Sequence, residues 1–191
     1  MKPIRTAIIV FVFWTIAVGG IYPLLITGVG AVFFPAKAGG SLVQVKGKPA
    51  GSILLAQGFE GSVYFHPRPS AVKYDASSSG ASNAGYTSAD LKKDFDQRKA
   101  DWQKAFGPAE PPVEVLYASG SGLDPHVSPQ AAEAQVLAVS AARRLPADKA
   151  AQLLELVKQY EEPPQLGFLG EPRVSVLRLN LALDEAFPVQ K

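Results

Sequence analysis

The sequence has 191 residues, with 19 Lys+Arg against 17 Asp+Glu, a formal net charge of +2, and no cysteine. Charges this balanced, and interspersed rather than blocked, exclude the basic footprint of a nucleic-acid binder and describe a mixed, solvated surface. The absence of cysteine fits either side of a membrane.

Residues 7–34 form a run of 28 residues without a charged side chain, AIIVFVFWTIAVGGIYPLLITGVGAVFF. A hydrocarbon core about 30 Å thick needs about 20 apolar residues as helix, so the run predicts a transmembrane helix with some tilt. It divides the chain into a cytoplasmic tail at 1–6, the helix at 7–34 and an extracytoplasmic domain at 35–191. Lys2 and Arg5 also resemble a signal-peptide n-region, and Ala36-Lys37-Ala38 a cleavage site. A signal h-region, however, is only about 7–15 residues long, so the helix is expected to be retained.

Gly19, Gly20, Pro23, Gly28 and Gly30 are tolerated in lipid where a neighbouring helix fills the gap they leave. Thr15 with Gly19, and Thr27 with Ala31, sit one turn apart as small-xxx-small pairs. Thr15, Gly19 and Pro23 are therefore candidate interface residues. Lys2 and Arg5 on one side nearly balance Lys37, Lys46 and Lys48 on the other. Long domains after a first helix translocate largely regardless of charge, which favours an N-terminus in the cytoplasm.

Beyond the helix, Leu42, Val43 and Val45, then Ile53-Leu54-Leu55 and Val63-Tyr64-Phe65, read as short strands, with a turn at Gly47-Lys48-Pro49. Pro67 and Pro69 exclude a regular helix there. Residues 75–85, DASSSGASNAG, hold no large apolar side chain and predict a surface or binding loop. Thr87 or Ser88 caps a helix carrying Leu91, Phe95, Trp102 and Phe106, which stops at Gly107-Pro108. Residues 113–117 alternate as a strand would. Ser128-Pro129 opens a helix running to about Arg144, and Pro146 and Asp148 start another with Leu153 and Val157 on its apolar side. Residues 173–184 alternate Leu177, Leu179, Leu181 and Leu183 against Arg178, Asn180 and Asp184, predicting a strand with a bulge near 176–177. The fold class is α+β: one transmembrane helix, then a single mixed soluble domain.

Two candidate chemistries arise. Ser119, Ser121, Asp124, His126 and Ser128 invite a nucleophile-and-base reading, although residues this close in one loop rarely face each other as a triad needs. With two histidines and no cysteine, no metal site is expected. The loop Ser77–Asn83 has the small residues that let backbone amides approach a phosphate, yet no G-x-x-x-x-G-K-[ST] motif occurs.

Six ordered motifs are more specific. They are Gly51–Phe59 (GSILLAQGF), Tyr64–Ala71 (YFHPRPSA), Ser79–Asn83 (SGASN), Ser121–Pro129 (SGLDPHVSP), Gly170–Leu177 (GEPRVSVL) and Leu179–Asp184 (LNLALD). With the single N-terminal span they resemble the KdpC family, which belongs to the potassium-transporting P-type ATPase (the Kdp complex), over nearly the whole chain. The family usually carries glycine where Ala56 and Ala81 stand and asparagine where Ser175 stands. A β-carbon at Ala81 restricts φ, which weakens the likeness of this stretch to a nucleotide-binding signature.

The resemblance implies an accessory subunit of a high-affinity potassium uptake complex in a bacterial inner membrane. Its partners would be a channel-like potassium-translocating subunit and a P-type ATP-hydrolysing subunit, with room for a small additional membrane subunit. It implies no catalytic residue and no firmly bound cofactor, ATP being met only through the ATPase subunit. Two roles are attached to the family: a catalytic chaperone that raises ATP affinity, using Ser79, Gly80, Ala81, Ser82 and Asn83, or an extracytoplasmic cap, which would make those residues an interface loop. Arg68, Asp124 and His126 are further interface candidates. The chain has no D-K-T-G phosphorylation motif and cannot be the pump by itself. The alternatives are a single-pass extracytoplasmic hydrolase using His126, Asp124 and a nearby serine, or an anchored binding protein.

Overall fold

The computed structural model describes residues 2–189; Met1, Gln190 and Lys191 lie outside the described residues. Two compact units emerge, one through Ser52 and one from Ile53 onward.

The first unit begins with helix α1, Lys2–Phe33, long and apolar enough to cross a membrane. None of its residues is buried within the chain. A π-helical turn interrupts it at Ala17–Ile21, where the Tyr22 N–H reaches back five residues to the Ala17 carbonyl. Pro23 explains the turn: its ring would collide with the carbonyl four residues back, at Gly19, and it has no N–H to offer that carbonyl. Widening the helix at Gly19-Gly20 relieves the collision. A single helical turn, Pro35–Ala38, follows. Strands β1 (Leu42–Val45) and β2 (Lys48–Ser52) then pair antiparallel. Lys46 and Gly47 have φ of 51° and 76°, the left-handed pair of a two-residue hairpin turn whose twist matches that of the strands. The turn is thus one residue earlier than expected.

In the second unit, residues 53–55 and 63–65 are turns and irregular backbone rather than strands. Helix α2 (Ala89–Phe106) is capped by Ser88, whose Oγ accepts from the Leu91 N–H at 3.4 Å, and ends at Gly107 with φ 105°. Ser88, not Thr87, is the cap. Residues 113–115 form a 3-10 turn instead of a strand. A short strand β3 (His126–Val127) leads into α3 (Pro129–Glu133) and α4 (Val136–Ala142), the expected single helix being broken between Glu133 and Val136. Helix α5 (Ala147–Gln159), strand β4 (Glu161–Glu162), strand β5 (Arg173–Ser175) and helix α6 (Val176–Ala186) complete the order. The sheet order is β3-β5-β4, all antiparallel.

The last element departs most from expectation. Only three residues of the predicted strand are extended; the rest is α6. Leucines at 177, 179, 181 and 183 satisfy a period of two, but Val176, Leu179, Asn180 and Leu183 satisfy the helical period, and all four are buried. Within α6 no β-branched residue follows Val176, and leucine, alanine and arginine are strong helix formers. Asn180, assigned above to a polar face, is 1% exposed.

The core joins Phe65, Val127, Leu153, Val157, Val174 and Leu179, with Trp102 and Phe106 from α2 against its edge. Three buried polar side chains tie irregular backbone to it. Asn180 accepts from the Phe65 N–H and donates to the Phe65 carbonyl, both at 2.9 Å. Gln135 accepts from the His66 N–H at 2.7 Å and donates to the His66 carbonyl at 3.2 Å. Two amide side chains thereby do for residues 65–66 what a neighbouring strand would do. Arg143 donates to the carbonyls of Val63 (2.7 Å) and Phe187 (2.6 Å) and to Asp184 (2.7 Å), satisfying acceptors left open at the α6 C-terminus.

Candidate functional site

The site is built around the loop 119–125. Within it the Gly122 N–H donates to the Ser119 carbonyl at 3.1 Å and the Leu123 N–H to Ser121 Oγ at 3.1 Å. Gly122 has φ +68°, and a β-carbon there would lie 2.6 Å from Val72 Cγ2 and 2.7 Å from the Gly80 carbonyl oxygen. Only glycine fits both the backbone and the space.

That close approach brings the predicted loop against it. The Gly80 N–H donates to the Ser121 carbonyl at 2.9 Å, and Ser79 Oγ to the same oxygen at 3.1 Å. Ser119 N–H donates to the Pro69 carbonyl at 3.0 Å, and Ala56 N–H to that of Leu123 at 2.9 Å. Ser70 Oγ accepts from the N–H groups of Val72 and Tyr74, and the Tyr74 hydroxyl donates to the Arg68 carbonyl at 3.0 Å. Burial holds the Tyr74 phenol above its ordinary pKa. Three of the sequence motifs, far apart in the chain, thus meet through backbone bonds, and the fourth, 64–71, joins through Ser119 just ahead of the 121–129 motif.

Asp124 sits where they converge. Its Oδ2 accepts from Arg68 Nη1 at 3.2 Å and its Oδ1 from the His126 N–H at 3.1 Å. The His126 ring lies beyond: Nδ1 is 3.9 Å from Asp124 Oδ1 and Nε2 is 4.0 Å from Glu162 Oε2, both too long for hydrogen bonds. Glu162 instead accepts from Arg173 Nε at 3.1 Å and Arg178 Nη1 at 3.2 Å. Burial first, and Arg173 second, push the His126 pKa below its ordinary value, against the opposing pull of Glu162 and Asp124. The ring is accordingly neutral at pH 7.

The expected interface trio of Arg68, Asp124 and His126 is therefore brought together, and Ser79 and Gly80 are docked beside it. Ala81 is half-buried, while Ser82 and Asn83 are exposed. Asn83 adopts φ 52° and donates to the Ala81 carbonyl. A phosphate cradle needs converging free amides. Here the N–H of Ser77 is committed to Asp75 Oδ1 (2.9 Å), that of Ser78 to the Asp75 carbonyl (3.0 Å) and that of Gly80 to Ser121. The hydrogen bonds from Ser77 also hold the Asp75 carboxyl below its ordinary pKa, so an anion of the chain itself already occupies this loop.

Among the described residues, none of the candidate serines Ser119, Ser121 and Ser128 pairs with His126. Ser128 Oγ accepts from the Ala131 N–H as the α3 cap and bonds Glu114. Ser121 Oγ accepts from Leu123, and Ser119 Oγ is buried without a partner among the described residues. Among the described residues no group of three or more His, Asp and Glu is placed to hold a metal.

In the N-terminal helix, Thr15 Oγ1 donates to the Phe11 carbonyl at 2.8 Å, and Gly19 lies in the π turn ahead of Pro23. A β-carbon at Gly19, Gly20, Gly28 or Gly30 would meet nothing within 4 Å. Sequence reasoning passed over Gln135, Arg143 and Asn180. Arg143 serves the end of a different helix and the two amides serve distant backbone, so none of the three leaves a local sign.

The comparison with known proteins agrees with the motif pattern. The family model for the K+-transporting ATPase, c chain, matches residues 4–185. A Potassium-transporting ATPase KdpC subunit of Nitratidesulfovibrio vulgaris is 48% identical over 187 residues, covering 95% of this chain and 93% of the relative. Those of Rhodospirillum rubrum and Geobacter sulfurreducens are 44% and 43% identical, covering 99% and 98% of this chain and 98% and 100% of the relatives. With a match running from the apolar helix through α6, the chain belongs to the family of the K+-transporting ATPase c chain, KdpC.

Proposed function

We propose that this protein is the accessory subunit of an ATP-driven potassium uptake complex in a bacterial inner membrane, held there by α1 and assembling with a channel-like subunit and a P-type ATP-hydrolysing subunit. The observation that carries the reading is the near full-length family match on a domain whose polar cluster is committed to holding its own loops together. The N-terminus is cytoplasmic and the domain extracytoplasmic, following the translocation of a long domain after a first helix. In that orientation Ser79–Asn83 is a structural or interface loop. Sharing ATP with the hydrolysing subunit would need both a cytoplasmic domain and free loop amides, and the loop amides named above are taken.

Helix α1 packs against a neighbouring helix along Thr15, Gly19 and Pro23, where the open glycine surface lets backbones approach. The test is affinity purification of the full chain from its native membrane in mild detergent, with mass identification of what accompanies it. Channel-like and P-type subunits in fixed proportion are expected; a chain recovered alone, under conditions that keep other complexes intact, would overturn the reading. Gly19→Leu is expected to lower the recovered complex while leaving the domain's melting curve unchanged.

A further inference from the structure

The first unit carries charge of one sign only. Through Ser52, where that unit ends, the chain has no acidic residue, and the first in the sequence is Glu60. Lys37, Lys46 and Lys48 follow α1 and have no carboxylate in their own unit to pair with. Lysines unopposed just beyond a membrane-spanning helix meet the phosphates of lipid headgroups as the nearest anions.

The hairpin is also held close to the helix end. Only residues 34–41 join the two, and they are folded rather than extended. The Ala38 N–H donates to the Phe34 carbonyl and the Ser41 N–H to that of Ala36, both at 2.8 Å. At the hairpin's base Ser52 Oγ donates to the Gly40 carbonyl at 2.7 Å, fastening the end of β2 to the same turn. Lys37 Nζ lies 5.9 Å from the centroid of the exposed Phe34 ring, a cation over the last aromatic of the apolar run. Lys46, in the left-handed turn, and Lys48, just after it, put two charges at the tip. The exposed Val45 stands opposite Lys48 across the ladder, so an apolar and a cationic side chain share one face there. A lysine laid along apolar surface with its ammonium at headgroup level, beside an exposed aliphatic group, is how an element settles in the membrane interface. An acidic protein surface would also suit the lysines. Lipid is the occupant that the covalent connection to α1 brings to them.

We infer that the 42–52 hairpin is a membrane-surface foot, resting on the leaflet from which α1 emerges, with Lys37, Lys46 and Lys48 on anionic phospholipid headgroups and Val45 turned to the acyl boundary. The inference rests on the reading of α1 as a membrane span.

The chain has no cysteine, so V45C gives a nitroxide a single attachment point. The full chain is placed in nanodiscs of phosphatidylcholine, or of phosphatidylcholine and phosphatidylglycerol in equal parts. Collisions with a neutral, water-soluble nickel chelate are then measured by electron paramagnetic resonance, a neutral quencher being indifferent to the lysines' own charge. A collision rate lower by about fivefold or more in the mixed discs is expected. Equal rates in the two lipids would overturn the proposal. So would a nitroxide that is open in both discs and closed only in the purified complex, which would assign the hairpin to a partner protein. Lys46→Gln with Lys48→Gln in the V45C chain is expected to bring the mixed-disc rate to within about twofold of the phosphatidylcholine rate, with an unchanged melting curve. A double variant as shielded as its parent would overturn the proposal. A chain that fails to co-elute with the discs removes the span itself and the foot with it; a chain that co-elutes with its nitroxide open loses only the foot.

Discussion

Two arginines of the domain each meet an aspartate, and they do different work. The side chain of Arg143 is 0% exposed and reaches three separate acceptors within 2.7 Å, while Tyr64 lies under its guanidinium at 5.0 Å. Arg68 and Asp124 are 28% and 32% exposed, share one contact of 3.2 Å, and Arg68 Nε is buried without a partner among the described residues. The first is a clamp on a helix end; the second is a pin at the meeting of loops. The contrast shows that an arginine–carboxylate pair is worth what its surroundings make of it. Where backbone carbonyls depend on the guanidinium, its loss strands them; where water can replace it, little is lost.

Breaking the clamp is the severest test of that contrast. Arg143→Ala leaves the part-buried carbonyl of Val63 and the buried carbonyl of Phe187 unpaired and is expected to cost about 2–4 kcal/mol in urea unfolding of the full chain. Gly122→Ala attacks the loops around the pin instead. It forces a β-carbon into contacts of 2.6 and 2.7 Å at φ +68°, for an expected loss of about 2–3 kcal/mol and faster proteolysis of the 77–83 loop.

Asn180→Leu removes both bonds to Phe65 and puts an apolar group of similar size in a buried site, with an expected loss of about 2 kcal/mol. Arg68→Ala is expected to cost only about 0.5–1 kcal/mol, and half-molar salt should shrink even that. A loss as large as that of Arg143→Ala would overturn the distinction between clamp and pin.

The smallest effect is a slope with pH. The His126 pKa is lowered in the fold, so between the ordinary value of about 6.5 and the folded value the unfolded chain binds more protons. Stability is therefore expected to fall as pH drops below about 6.5 and to level off once the folded ring is protonated. His126→Gln should flatten that segment of a melting-temperature profile; an unchanged slope would mean the ring is not the source.

The apolar run, α2 with its serine cap and glycine stop, the α5 stripe and the loop at 75–85 were legible because each rests on local chemistry. So was the family, because its motifs keep their order along the chain. The strand expected at 173–184 was misread because one run of leucines satisfied two periods at once, and packing of Val176, Leu179, Asn180 and Leu183 chose the helical one. Residues 63–65 and 113–117 look like strands by composition, but the sheets of the described residues do not include them, and Asn180 and Gln135 serve the backbone of residues 65–66 instead.

By itself the sequence determined the long apolar helix, most helix ends and the residues at 68, 79–83 and 124–126 that carry the site's polar groups. Those depend on the solubility and backbone preferences of residues close in the chain. Only the tertiary structure decided that Gly80 rests on Ser121, that the Asp124 carboxylate takes the Arg68 guanidinium and not the His126 ring, and that Arg143 closes α6. These pairings span 41 to 56 residues between partners, and which donor meets which acceptor over that distance is set by how the core packs.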